Sequence, residues 1–236
     1  MNSDYALKEL VQRLTSTAGN NLLSVILHGS AATGDFHPEF SDLNILCLVS
    51  ELSPAAMRAL APALNWWSAQ KHPAPLFFTR SELQAAADVF PIEMLDIEEQ
   101  HRVLHGEDPF PQFHVSMELH RIELEHELRS KLLLLRQHYM TVAGDPARVR
   151  HLLLNSVTNF LALFRHALIA LGQSAPQSKL EAARKLAAKA GFDPSPFERL
   201  LQVRERKLKP EELDLDQTLA AYLAAIEKAI QAVNAL

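Results

Sequence analysis

An α+β chain is what this sequence predicts, with a small strand-and-helix domain over residues 1–113 and an antiparallel helical bundle over residues 114–236. Three observations carry that expectation. Two short, largely apolar runs, residues 22–27 and 43–49, have the length of strands and flank a turn region containing Gly29 and Ser30. From Glu118 onward, apolar residues recur almost without exception at helical spacing. Between the two rhythms lie Pro109 and Pro111, which disfavour helix and central strand alike and mark the boundary.

Each element has its own local reason. Leu7, Leu10, Val11 and Leu14 are spaced as one face of a helix, and polar residues 15–21 close it before the first strand. After the second strand, Ser53 is placed to cap a helix whose first position is Pro54, and Met57, Leu60, Ala61 and Leu64 give it an apolar face up to about Gln70. Residues 76–79 predict a third strand, residues 82–89 a helix and residues 102–104 a short further strand. In the second half, Ile122, Leu128, Leu132, Leu135 and Tyr139 line a long helix that stops at Gly144. Asp145-Pro146 starts the next, which carries a broad apolar face from Leu152 to Leu168. Gly191, Asp193 and Pro194 repeat the stop and start, and Leu219, Tyr222, Leu223, Ile226, Ile230 and Val233 form the last stripe. Five helices joined by short loops imply an antiparallel bundle.

Composition narrows the function classes. An apolar fraction of 48% with 22% charged residues is that of an ordinary globular protein able to bury a core without staples. The net charge of −5, with basic residues interspersed among acids, argues against a nucleic-acid surface and for a small or soluble partner. A single cysteine, Cys47, sits between Leu46 and Leu48 and reads as a buried thiol in a reducing compartment, hence a cytoplasmic protein. Asp4 and Glu9 within the first amphipathic pattern do not fit a signal peptide. The most apolar segment, residues 160–171, is interrupted by Arg165 and His166 and is too short to span a bilayer, so no membrane segment is expected.

One stretch carries chemistry. Val25-Ile26-Leu27-His28-Gly29-Ser30 is followed after eleven residues by Asp42-Leu43-Asn44-Ile45-Leu46. Gly29 lets backbone approach a phosphate closely, Ser30 offers a hydroxyl and an amide at the turn, and His28 would sit beside any phosphate held there. Asp42 and Asn44, two apart on a strand, would share a face and reach one metal site. Two carboxylates in those positions would hold Mg²⁺ ions that neutralise a triphosphate and position its α-phosphorus for in-line attack. Plainer readings are a loop turn with Asp42 closing an Asx turn, and an Asn44 that holds the loop by side-chain hydrogen bonds.

Apolar strand, Gly-Ser, spacer and Asp-x-Asn within the next strand together resemble the nucleotidyltransferase superfamily that includes the aminoglycoside adenylyltransferases, whose signature ends in Asp-x-Asp or Asp-x-Glu. The resemblance extends over roughly the first 110 residues. It implies a small mixed sheet, a following helical bundle, an acceptor cleft between the halves, a nucleoside triphosphate as ligand and Mg²⁺ as cofactor. By resemblance, Asp42 is the metal ligand, Gly29 and Ser30 position the triphosphate, and a hydroxyl acceptor attacks with pyrophosphate leaving. Asn44 departs from the pattern at the second carboxylate. Residues 76–78, where a third carboxylate is usual, contain no acid, so Glu93, with Asp96 as second choice, is the candidate replacement. Two functions follow: a Mg²⁺-dependent nucleotidyltransferase acting on a small-molecule or protein acceptor, or a catalytically inactive nucleotide-binding or protein-interaction pseudoenzyme, with homodimerisation through the bundle as a further option.

Other candidates are weaker. His101 and His105 suit a zinc pair only on a helix, and the residues between them read as a strand. Asn155, Asn159 and His166 would line a polar cleft or a solvated face. Trp66-Trp67 is expected to bury one ring and leave the other partly exposed.

Overall fold

The computed structural model of the chain describes residues 3–33, 42–174, 176 and 178–236, and it separates into two compact units, Met1–Ser116 and Met117–Leu236.

The N-terminal unit runs α1 (Ser3–Ala18), β1 (Leu22–His28), α2 (Ser30–Thr33), β2 (Asn44–Val49), α3 (Pro54–Ala69), β3 (Leu76–Phe78), α4 (Arg80–Val89), α5 (Pro91–Glu99) and β4 (His101–Gly106). The strands form one sheet in the order β3-β2-β1-β4. β1 is antiparallel to both β2 and β4, whereas β2 and β3 are parallel, which makes the sheet mixed. Helix α3 supplies the crossover that a parallel pair requires.

Helices cover both faces, which explains why β1 and β2 read as largely apolar runs instead of alternating ones. Val25, Leu27, Ile45, Cys47 and Val49 point to one side, where Leu7, Leu10 and Leu14 of α1 and Leu60, Ala63 and Trp67 of α3 pack on them. Ile26, Leu46 and Leu48 point to the other, against Leu83 and Ala87 of α4 and Met94 and Ile97 of α5. Trp67 is fully buried and its Nε1 donates to the Pro73 carbonyl at 2.7 Å, while Trp66 stays half-buried under the Arg13 guanidinium, 4.6 Å from its ring. Local signals set the helix starts. Ser53 Oγ accepts from the Ala56 amide ahead of Pro54, and Thr79 and Glu82 form a reciprocal capping box at α4.

Gly106 closes β4 under strict steric control. A Cβ there would fall 1.9 Å from the Leu23 carbonyl oxygen, so no other residue fits without moving the strand.

The C-terminal unit contains, among the described residues, α6 (Met117–Val142), α7 (Pro146–Ala170), α8 (Lys179–Ala190), α9 (Ser195–Arg204) and α10 (Leu215–Asn234). Asp145 caps α7 by accepting from the Ala147 and Arg148 amides. His120, near the start of α6, meets His166, near the end of α7, so these two helices run antiparallel. Tyr222 of α10 is buried in the middle, edge-on to Phe160 with centroids 5.8 Å apart, and shares a hydrogen bond with Ser156 at 3.1 Å.

α7 corrects one expectation. Its apolar stretch is not a twelve-residue segment but part of a 25-residue helix, long and apolar enough by length and composition to cross a membrane. Half of its most apolar window is buried within the unit, and Leu153, Val157, Phe160, Leu161 and Phe164 serve as the core that α6, α8, α9 and α10 pack around.

Candidate functional site

β1 ends at His28, and the chain turns at Gly29 with φ of 75°, the left-handed region that glycine enters without cost. His28 lies across from Asn44, the first residue of β2, on one side and from His101, the first of β4, on the other. The corner is therefore built by three strands at once. A Cβ at Gly29 would come to 3.5 Å of Asn44 Nδ2, so the Asn44 amide lies directly over the turn.

The turn is held by backbone. Gly29 N–H donates to the Gln100 carbonyl at 3.1 Å, and the Gly29 carbonyl accepts from Ala32 N–H at 2.8 Å, which opens the short helix α2. Gly29's own amide is thus engaged within the protein, and its contribution at a phosphate would be the missing side chain. The sequence places Gly29 and Ser30 at a turn suited to phosphate, with no helix after it. The structure adds α2 and the contact from Gln100, for which no sequence signal existed. The spacer residues 34–41 and the Ser30 side chain lie outside what the structure describes.

Asp42 and Asn44 do not both stand on the strand. β2 begins at Asn44, and Asp42 precedes it as an exposed residue, with Leu43 between them fully buried. The electrostatic neighbour of Asp42 is His72. Burial holds the His72 pKa below its ordinary value, and the Asp42 carboxylate offsets part of that. His72 also stacks on Trp67 with centroids 4.3 Å apart. Nothing in the local sequence announced this partnership.

Glu93 and Asp96 both lie on α5, a helix that sequence reasoning left out. Glu93 is exposed in its first turn. Asp96 is half-buried one turn later and acts on His28, whose pKa burial pushes below its ordinary value while the Asp96 carboxylate pulls it back up. Of the two candidate acids, Asp96 is the one tied electrostatically to the corner. His101 has its own partners, donating from Nδ1 to the Glu98 carbonyl at 2.9 Å and placing Nε2 3.2 Å from Asp108. His105 lies on the same strand, as read, and its carbonyl accepts from Ser24 Oγ at 3.1 Å.

A Mg²⁺ pair asks for at least two anionic oxygens on neighbouring positions. The donor set at β2 is one carboxylate, Asp42, and one neutral amide, Asn44, and among the described residues no three His, Cys, Asp or Glu side chains gather where a metal could bind. The described residues do not fit a two-ion centre. In the C-terminal unit, Asn155 and Asn159 line a groove of about 240 Å³ with Lys131 and His138, whereas His166 is buried against His120 and takes no part in it.

Mixed four-stranded sheet, Gly-Ser corner and packed C-terminal helices define a protein of the nucleotidyltransferase fold. A solved structure of similar build is spectinomycin adenyltransferase AAD(9) from Enterococcus faecialis, determined with ATP and spectinomycin. The match has a TM-score of 0.58 at 16% identity and covers 99% of this chain and 100% of that one, a likeness of fold. No protein-family model matches the sequence, and no curated protein matches it.

Proposed function

We propose that this chain is a nucleotide-binding protein of the nucleotidyltransferase fold that takes a nucleoside triphosphate at the Gly29-Ser30 corner and does not carry out two-ion nucleotidyl transfer. The observation that carries the reading is Asn44, which starts β2 opposite His28 and over Gly29 with a neutral amide where a metal-holding acid belongs. Removing one anion beside a divalent ion forfeits on the order of several kcal/mol even at an intermediate dielectric. A loss of that size slows a metal-dependent step by a thousandfold or more.

The corner keeps the features that suit a phosphate: a glycine without side chain at a left-handed turn, and a half-buried imidazole immediately before it. The ligand class is supported by the ATP bound in AAD(9). A reducing, cytoplasmic setting accords with the single buried thiol of Cys47.

The test has two arms. Calorimetric titration with ATP and GTP, in Mg²⁺ and in EDTA, is expected to give affinities within about threefold of each other, since Mg²⁺ finds few ligands on the protein. Incubation with α-labelled ATP, Mg²⁺ and a panel of aminocyclitol and aminoglycoside acceptors is expected to transfer no label. Label appearing on an acceptor sinks the non-transferring part of the reading, and absence of any nucleotide binding sinks the whole.

A further inference from the structure

On the α1 side of the sheet, at its β4 edge, lies a groove of about 350 Å³ that the nucleotide corner does not use. Leu7, Lys8 and Val11 of α1 form one wall, and Arg102, Val103 and Leu104 of β4 form the other, with Asp4 at the rim. Its origin is in the strand register. Val25 pairs with His105 while Ile26 pairs with Val103, so Leu104 is an extra residue in β4 and the strand bulges there. Helix α1 packs on α3 and over β1, leaving the outer strand partly uncovered.

The chemistry of the walls is specific. Leu7 is buried, and Val11 and Leu104 are half-buried and packed on the α1 side of the sheet, giving the groove an apolar floor. Lys8 and Arg102 are exposed cations on opposite walls, and among the described residues neither takes part in a salt bridge. A volume of this size falls at the lower end of pockets that hold small molecules. An apolar floor with a cation on either wall is complementary to a ligand with an apolar body and a single anionic head.

We propose that the α1–β4 groove is a second ligand site, taking a small apolar carboxylate whose hydrocarbon lies on Leu7, Val11 and Leu104 and whose carboxylate is held between Lys8 and Arg102. Bidentate pairing makes Arg102 the orienting contact and Lys8 the supporting charge. The site is independent of the nucleotide reading, since none of its residues belongs to the Gly29 corner.

The experiment titrates isotope-labelled full-length protein with phenylbutyrate and, as the uncharged arm, with phenylbutanol, following backbone amide shifts. Saturable shifts centred on residues 4–11 and 102–104 are expected, with affinity at least about tenfold weaker for the alcohol. Lys8→Glu with Arg102→Glu is expected to abolish binding of the acid while circular dichroism and melting stay those of the parent. Should that pair fail to fold, Lys8→Gln with Arg102→Gln, which removes the charges without reversing them, is expected to bring the acid down to the affinity of the alcohol. Equal affinity for acid and alcohol, binding undiminished by either charge variant, shifts confined to other elements, or no saturable shift at millimolar ligand each overturns the proposal.

Discussion

Asn44 Nδ2 lies 3.5 Å from the point where a Cβ on Gly29 would stand, which is ordinary van der Waals contact and leaves room for a methyl group. Space is therefore not what requires glycine at this corner. The φ of 75° is. Gly29→Ala is expected to lower stability by about 1–2 kcal/mol through left-handed strain alone. Denaturant midpoints measured against the parent check this, and a much larger loss would mean that crowding against Asn44 contributes after all.

Asn44→Asp restores a second carboxylate two residues from Asp42. Triphosphate binding by this variant is expected to strengthen about tenfold or more when Mg²⁺ replaces EDTA, a net gain of about 1.4 kcal/mol out of a larger gross attraction. The parent should show little difference. If neither protein responds to Mg²⁺, the corner has diverged in shape as well as in charge.

His120 Nε2 and His166 Nδ1 lie 3.0 Å apart in the buried interior of the C-terminal unit, so one ring donates to the other. Cutting one partner leaves the facing ring nitrogen of the other unmet, which costs about 1–3 kcal/mol. His120→Leu with His166→Leu together is expected to destabilise by less than the sum of the two single changes, because the mutual hydrogen bond is lost only once. A double-mutant cycle by urea titration measures the coupling, and simple additivity would contradict it.

Burial pushes the Cys47 thiol and the Tyr222 phenol up from ordinary values of 9.0 and 10.0, with the Ser156 hydrogen bond offsetting part of the rise for Tyr222. The folded chain therefore keeps protons that the unfolded chain releases. Stability contributed by both groups is intact below about pH 9 and falls as pH rises through 9 to 10 and beyond, toward the folded values. Chemical denaturation at pH 8 and at about pH 10.5 should show the decline, and Cys47→Ala should remove the thiol's share of the pH dependence in the N-terminal unit. Thiol reagents are expected to react with Cys47 only as fast as the unit opens.

Much of this fold was legible because its signals are local. Ser53-Pro54, Asp145-Pro146 and the Gly191 stop each act within one turn of chain, and the apolar runs of β1 and β2 follow directly from a sheet covered on both faces. α5 escaped because Phe90-Pro91 reads as an ending, although Pro91 at a first helical position also starts a nine-residue helix too short to display a clear period. Of the corner, the sequence marked His28, Gly29, Ser30, Asp42 and Asn44. The electrostatic pull of Asp42 on His72 and of Asp96 on His28, and the hydrogen bond from Gly29 to the Gln100 carbonyl, link residues across long stretches of chain, and a single sequence carries no local mark of them.

β4 is the last strand to be synthesised yet it pairs with the first, β1. While the chain emerges from a ribosome, β1 and β2 can join as soon as both are out, but the outer edge of β1, with Val25, Ile26 and Leu27 along it, stays open until residues 101–106 follow. Through that interval the nascent chain presents an unprotected apolar edge of the kind that recruits foreign strands. The order of strands therefore leaves the closing of the β1 edge to the last strand made, after α3, β3, α4 and α5 have all been synthesised.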